Sequence, residues 1–369
     1  MFVTDAALIV LIGTKAQFIK TAPVLRELDV QKVPYRLVYT GQHSETFEAL
    51  EACFGTRPPD EVLVPDTEAA TKSALLGWSA RFWRAVAARA RSEEWRGCRI
   101  GVVHGDTMST LFGAMATRYC GGRVAHIEAG LRSPKLMDPF PEEIIRRCVS
   151  RLSKLHFAPD STAAANLAHV RGKVIDTGGN TLRDALRLAL AAVEPGMSEG
   201  GIGGYGVVSI HRNENLSNAG DFDLLMGEVV RASAVMPLKF VLHPATRARL
   251  RTTGWMDRLR LNQGLELMER MNYPDFVRLL VGSSCLLTDG GSNQEEAAML
   301  GLPTLLLRRA TERPDGLGGN VVLSGLQPRI IRDFVENNAH RRWTLQAIGT
   351  DSPSAAIVRV LRSEMHASG

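Results

Sequence analysis

CLLTDGGSNQEEAAMLGLPTLLLRRATERPDGLGGN, residues 285–320, decides how the chain folds. CLLT is a short apolar run that predicts a buried strand; DGGS then makes a turn, and NQEEAAML opens a helix. A glycine-rich turn between a strand and a helix N-terminus brings backbone N–H groups and the positive helix end toward a bound anion. Asp289, Gly290, Gly291 and Ser292 are therefore placed to cradle a diphosphate, and Glu295 or Glu296, one turn in, to accept from ribose hydroxyls. The same residues also suit a plain tight turn that needs glycine for its backbone angles. The neighbouring TERPDG loop, with Arg313 just after the strand TLLLR, favours the ligand reading, because open α/β sheets bind ligands at adjacent strand ends.

Outward from this stretch the same pattern recurs. AALIVLIGTK (6–15), YRLVYTGQH (35–43), RIGVVHGDT (99–107), RVAHIEAGLR (123–132), HFAPD (156–160) and KVIDTGGNT (173–181) each run from apolar residues into small or polar ones. VVSIHRNEN (207–215), LKFVLHPATR (238–247) and LELMER (265–270) do so in the second half. Strands alternating with helical segments predict parallel sheets with helices on both faces. The fold class is therefore α/β, with two doubly wound, Rossmann-like domains facing a cleft. EPGMSEGGIGGYG (194–206) lacks apolar periodicity and reads as a linker. It separates a domain over 1–193 from one over 207–350, and the helical pattern at 351–369 is placed to cross back to the first.

Bulk properties narrow the function. The 369 residues are 45% hydrophobic and 22% charged, as in a soluble globular protein, and carry a net charge of +5. The basic excess is spread along the chain, which argues against nucleic acid and suits a cleft for an anionic substrate. Residues 1–13 show no basic leader segment, and AALIVLI is too short to span a bilayer, so no membrane partner and a cytoplasmic location are expected. Five cysteines without a CxxC pair are most simply reduced thiols, and no zinc site is read.

Several side chains sit where reactive groups belong. Lys15 and Lys20 flank the first strand–helix junction, suited to neutralising phosphate; a solvated helix face is the simpler reading for Lys20 taken alone. Asp106 ends a strand, either as a reactive carboxylate or as the N-cap of the next helix. Glu128, between apolar neighbours, reads as functional. Glu142 and Glu143 follow PFP, where acidic residues also serve ordinary helix starts; that plain reading is stronger for Glu143. Carboxylates gathered in one pocket repel one another, which raises some pKa values and suits proton transfer. His211 ends a strand and can donate to a phosphate or act as an acid, though a satisfied polar histidine fits equally. His243, before Pro244, reads as structural, and Phe276 as partly core with one ring face available to a base.

Taken together, GTKAQFIKTAPVL, TGQH, HGDT, HIEAGLR, PFPEE, HFAP, TGGNT, NYPDFVRLL, TDGGSNQEEAAMLGLPTLLLR and TERP resemble the non-hydrolysing UDP-N-acetylglucosamine 2-epimerase family. The resemblance runs from about residue 8 to residue 325. It implies a glycosyltransferase-B type fold and a cytoplasmic homodimer, with a UDP-sugar substrate and no metal or nicotinamide. The implied activity is C2 epimerisation of UDP-N-acetylglucosamine, or of a close UDP-2-acetamido sugar, by elimination and re-addition of UDP. The implied pathway is surface polysaccharide synthesis. By motif, Asp106, Glu128 and Glu142 take the acid–base positions, and Lys20 and His211 those of the helix lysine and the diphosphate-side histidine. Gly290, Gly291 and Ser292 fall on the phosphate turn, Glu296 on the ribose carboxylate, Arg313 on the arginine of TERP and Phe276 on the base-side aromatic. The chain departs from the family at its first loop, where Lys15-Ala16-Gln17 stands for Arg-Pro-Glu, and lysine lacks the two-pronged geometry of arginine. Alternative activities are a hydrolysing 2-epimerase, a UDP-2,3-diacetamido-glucuronate 2-epimerase and a glycosyltransferase of the same fold.

Overall fold

The apolar runs become the central strands of two parallel sheets. The structure, a computed structural model, describes residues 7–42, 47–65, 72–133, 140–191, 199–200, 203–311 and 313–366. The chain forms two compact units, one of Met1–Leu188 with Thr350–Gly369 and the other of Ala189–Gly349.

In the first unit, β1 (Leu8–Ile12), β2 (Arg36–Tyr39), β3 (Glu61–Val62), β4 (Ile100–His104), β5 (Arg123–Ile127), β6 (Ser153–Ala158) and β7 (Lys173–Asp176) form one sheet. Their order is β3-β2-β1-β4-β5-β6-β7, and every pairing is parallel. All five residues of β1 and all five of β4 are buried, as expected where helices cover both faces of a parallel sheet. The strand order reverses between β1 and β4, so the loops Gly13–Lys15 and Gly105–Thr107 open side by side at the carboxyl edge. That reversal point is where doubly wound sheets take ligands. Gly13 is required by close approach: a Cβ there would lie 1.9 Å from Ser109 Oγ on the helix Met108–Tyr119.

The helix Lys15–Val30 is enclosed from several sides. Its buried residues run from Gln17, Phe18 and Lys20 through Thr21, Ala22, Pro23, Val24, Leu25 and Leu28. Part of that cover comes from the C-terminal helix Pro353–His366, which packs against it. This last helix is tied to the first unit by Arg123 donating to Glu364 at 2.9 Å and by the Ser354 amide donating to Asp184 at 2.8 Å.

In the second unit, β8 (Glu199–Gly200) precedes a sheet of β9 (Gly206–Ser209), β10 (Leu238–Leu242), β11 (Leu265–Glu269), β12 (Cys285–Thr288), β13 (Thr304–Leu306) and β14 (Val321–Leu323). The order is β11-β10-β9-β12-β13-β14, again all parallel, with the reversal between β9 and β12. Phe222, Phe240, Leu287, Leu305 and Ile331 belong to its core. Of the stretch read as a linker, 194–198 and 201–202 lie outside the described residues. Within its described part, β8 runs antiparallel to β15 (Trp343–Thr344), 203–205 form no strand, and Gly206 is already the first residue of β9. The boundary between the units falls ahead of it, at Leu188/Ala189.

Among the described residues, no helix is long and apolar enough to cross a membrane. All five cysteines are free thiols.

Candidate active site

Glu128 follows β5 with its backbone in the left-handed region, at φ 63°. For an L-residue other than glycine this conformation costs roughly 1–2 kcal/mol. Such strain persists where the surroundings fix a residue for its chemistry. The carboxylate is gripped by Lys20, whose Nζ donates to Oε1 at 3.0 Å and to Oε2 at 2.8 Å. Lys20 is only 7% exposed, which overturns the solvated-face reading: the enclosed helix turns it inward onto Glu128. His104, the last residue of β4, brings its Nε2 to 3.5 Å from Glu128 Oε2. Burial pushes the His104 pKa down to about 4 against the pull of Glu128, so the imidazole is neutral at pH 7.

Asp106 is not the N-cap of the following helix. Thr107 caps it, accepting from the Thr110 amide, and Asp106 Oδ2 instead meets Arg146 Nη2 at 2.6 Å. Arg146, 9% exposed, lies on the helix Glu142–Leu152 and also faces Glu143 at 3.8 Å. Glu143 is a structural brace, fully buried and accepting from the Ser133 amide at 3.0 Å and from Arg147 Nε at 2.8 Å. Glu142 is the first residue of this helix and half-buried. Standing four residues before Arg146, it occupies the same helix face. The helix therefore carries Glu142 beside the arginine that holds Asp106. Lys15 is the first residue of its own helix, half-buried in the loop after β1.

The second unit carries groups of a different kind. Gly290 is the N-cap of the helix Gly291–Leu300, which has neither a capping side chain nor an acidic residue in its first turn. The first intrahelical bond runs from the Gln294 amide to the Gly290 carbonyl, so the amides of Gly291, Ser292 and Asn293 precede it. This end is suited to an anion. Asp289 takes no part in such a cradle. Wholly buried, it accepts from the His211 amide at 2.9 Å, the Arg212 amide at 3.0 Å and Asn215 Nδ2 at 2.9 Å, locking the loop after β9 to the loop after β12.

His211 thereby stands beside the glycine turn, and a Cβ on Gly290 would lie 2.8 Å from its Cε1. Its ring stacks on His243, with centroids 4.3 Å apart, and its Nδ1 is 3.5 Å from Asp289 Oδ1. Burial lowers the His211 pKa, opposed by Asp289 and reinforced by Arg212 and Arg270. His243 is pushed down to about 3, first by burial and then by His211. Arg313 lies over the turn, with Nε 3.1 Å from where a Gly291 Cβ would be, and donates to Glu295 at 2.9 Å. Gln294 clips the arginine's loop in place by donating to the carbonyls of Arg313 and Asp315 at 3.0 and 2.9 Å. Glu296, 3% exposed, sits against Tyr273, whose hydroxyl pKa is driven well above its usual value by burial and then by this carboxylate. Phe276 is half-buried in the first turn of the helix Tyr273–Gly282, and Ser292 half-buried in the first turn of its own.

The structure thus joins Lys20 to Glu128 and adds two residues that sequence reasoning missed, His104 and Arg146. Arg146 was findable by its spacing of four from Glu142, and His104 by its place at the head of HGDT. Among the described residues, no group of three or more His, Cys, Asp or Glu side chains is placed to hold a metal ion.

A family model described as UDP-N-acetylglucosamine 2-epimerase matches residues 26–353. The UDP-N-acetylglucosamine 2-epimerase of Bacillus subtilis is 31% identical over 329 residues, 85% of this chain and 82% of that one. A solved structure of the Methanocaldococcus jannaschii UDP-GlcNAc 2-epimerase, in complex with UDP-GlcNAc and UDP, matches with a TM-score of 0.82 at 26% identity, covering 96% of this chain and 99% of that one. The Neisseria meningitidis UDP-GlcNAc 2-epimerase bound to UDP-GlcNAc matches at 0.79 with 28% identity, covering 96% and 99%. The two parallel-sheet units are those of the glycosyltransferase-B class of fold seen in these structures.

Proposed function

The chain belongs to the UDP-N-acetylglucosamine 2-epimerase family, and from that premise we propose that it inverts C2 of UDP-N-acetylglucosamine by eliminating UDP and adding it back. It is an isomerase, a sugar-nucleotide epimerase. In the first step the C2–H bond breaks, its electrons form a C1=C2 double bond, and the C1–O bond breaks with its pair leaving on the β-phosphate of UDP. In the second, a proton reaches C2 from the opposite face and the phosphate oxygen attacks C1. The sequence is redox-neutral.

This course needs two kinds of groups, proton-transferring carboxylates and donors for the departing diphosphate. Asp106, Glu128 and Glu142 are the candidates for taking and returning the C2 proton, since a carboxylate acts as base when charged and as acid once protonated. The observation that carries the reading is Glu128: a buried carboxylate held by Lys20 on a strained backbone at the carboxyl edge of the sheet. The departing diphosphate gathers negative charge, which fixed donors stabilise. The amides of Gly291 and Ser292, His211 and Arg313 are proposed for it, with Lys15 as a further cation from the first unit. His211, made neutral by burial, is raised again by an arriving dianion and can then supply a proton to it. Glu296 is proposed for the ribose and Phe276 for the uracil face.

The test is incubation of the purified protein with UDP-N-acetylglucosamine in deuterated water. The expected product is the C2 epimer carrying deuterium at C2. An epimer formed without deuterium, or no exchange at all, would overturn the proposal. Coupled measurement of free UDP separates re-addition, with no net UDP, from hydrolysis, with one UDP per turnover.

A further inference from the structure

Gln17 occupies the point where the two loops at the sheet reversal come together. It is 3% exposed and its amide is fully engaged. The Oε1 atom accepts from the Gly13 amide at 2.9 Å and the Thr14 amide at 3.2 Å, closing the capping box of the helix Lys15–Val30. The Nε2 atom faces across the reversal, its two hydrogens shared among the His104 carbonyl at 2.8 Å, Thr107 Oγ1 at 2.9 Å and Thr110 Oγ1 at 2.8 Å. One half of this side chain thus fixes the loop that carries Lys15, and the other fixes the loop between His104 and Thr107. Asp106 lies inside that second loop, next to the anchored Thr107, and His104 is the residue facing Glu128. Thr110 reinforces the clasp by donating to the same His104 carbonyl at 2.7 Å.

We propose that Gln17 is a positioning residue for the epimerisation: its amide holds the Gly13–Lys15 loop against the His104–Thr107 loop so that Asp106 meets C2 of the sugar. This rests on the acid–base reading of Asp106. Proton transfer requires near-contact geometry, and a misplacement of about 1 Å can cost about a hundredfold in rate. The partners of the Gln17 amide all belong to the first unit. Loosening the clasp therefore lowers kcat far more than UDP affinity, for which Lys15 is the one group on the clasped loops, and general loss of structure does not produce that separation.

Gln17→Met keeps the volume and removes every hydrogen bond of the amide. Its kcat with UDP-N-acetylglucosamine is expected to fall by about thirtyfold or more, within the range for lost positioning, with a much smaller change in the Kd for UDP. Gln17→Glu keeps both acceptor bonds to the Gly13 and Thr14 amides but sets a carboxylate oxygen, which cannot donate, against the His104 carbonyl. It is expected to hold the Gly13–Lys15 loop and recover little of the lost kcat, since the loop that carries Asp106 is still released. Thr110→Val removes one partner of the clasp and leaves Gln17 itself intact, so it gives the answer if Gln17→Met fails to fold; a drop in kcat with a much smaller change in UDP affinity is again expected.

Wild-type kcat in Gln17→Met or Thr110→Val would overturn the proposal, as would equal losses of kcat and UDP affinity. Asp106→Asn is assayed beside them. If it is inactive while Gln17→Met turns over normally, only the positioning role fails; if Asp106→Asn turns over normally, the acid–base reading fails.

Discussion

Removing the Lys20 ammonium while leaving Glu128 in place is the sharpest perturbation the structure offers. Nζ bridges both carboxylate oxygens at 3.0 and 2.8 Å, and both side chains are more than nine-tenths buried. At 2.8 Å, with an effective dielectric near 20, the attraction is about 6 kcal/mol. Desolvation of two ions offsets much of this, yet removing one partner of a buried pair still costs about 3–5 kcal/mol, because the other charge is left uncompensated. Lys20→Met is therefore expected to destabilise the first unit by that amount. Adding Glu128→Gln to Lys20→Met removes the stranded charge, and the double variant is expected to recover at least about 2 kcal/mol relative to the sum of the singles, a coupling typical of contacting residues. The assay is urea unfolding followed by tryptophan fluorescence, to which Trp78 and Trp95 in the first core contribute. Stability recovers in the double variant and turnover does not, since the carboxylate is gone. Effects that add within about 0.5 kcal/mol would refute the pairing and with it the anchoring of Glu128.

Gly290→Ala forces a methyl to within 2.8 Å of His211 Cε1. The imidazole must shift, and UDP affinity measured by calorimetry is expected to fall about tenfold, the scale of one lost hydrogen bond to a charged group; unchanged affinity would remove His211 from the diphosphate. Asp106→Asn, Glu128→Gln and Glu142→Gln should each slow turnover at least about a hundredfold, the scale of a proton-transfer group, with UDP still bound; wild-type rates in all three would end the mechanism. Acid should unfold the protein early. His104, His126 and His243 have folded-state pKa values of about 4, 3 and 3 against 6.5 when free, with burial the first cause of each, so only the unfolded chain takes up these protons between those limits. Their stabilising effect is whole above pH 6.5 and is lost as pH falls toward 4, by about 3 kcal/mol for His104 alone. A melting temperature flat from pH 6.5 to 4.5 would contradict this, and His126→Gln should shallow the slope.

Much of this was legible in the sequence because strand ends announce themselves. Apolar runs closing in GTK, HGDT, HIEAG and DGGS place Lys15, Asp106, Glu128 and Gly290 at carboxyl edges, and parallel sheets collect those edges on one side. What the residues do with their neighbours was not legible. Lys20 looks like a surface lysine until its partner is seen: Glu128 lies 108 residues on, and the strand order β1-β4-β5 brings the two together. Asp106 suits an N-cap by position, but Thr107 is one residue closer to the helix and Arg146 draws the carboxylate away. Asp289 heads a glycine turn yet faces inward, since three donors from the loop after β9 converge on it. Pairings across a sheet depend on strand order, and local sequence does not specify order.

Reversible cleavage between C1 and the diphosphate is the central step of the proposed reaction, and isotope position reads it directly. UDP-N-acetylglucosamine labelled with oxygen-18 in the bridge between C1 and the β-phosphorus is incubated with the enzyme and the label located by phosphorus NMR. Elimination and re-addition let the freed β-phosphate rotate, so the label is expected to spread into non-bridging positions as epimer forms. Epimer that accumulates with all of its label still in the bridge would contradict the account.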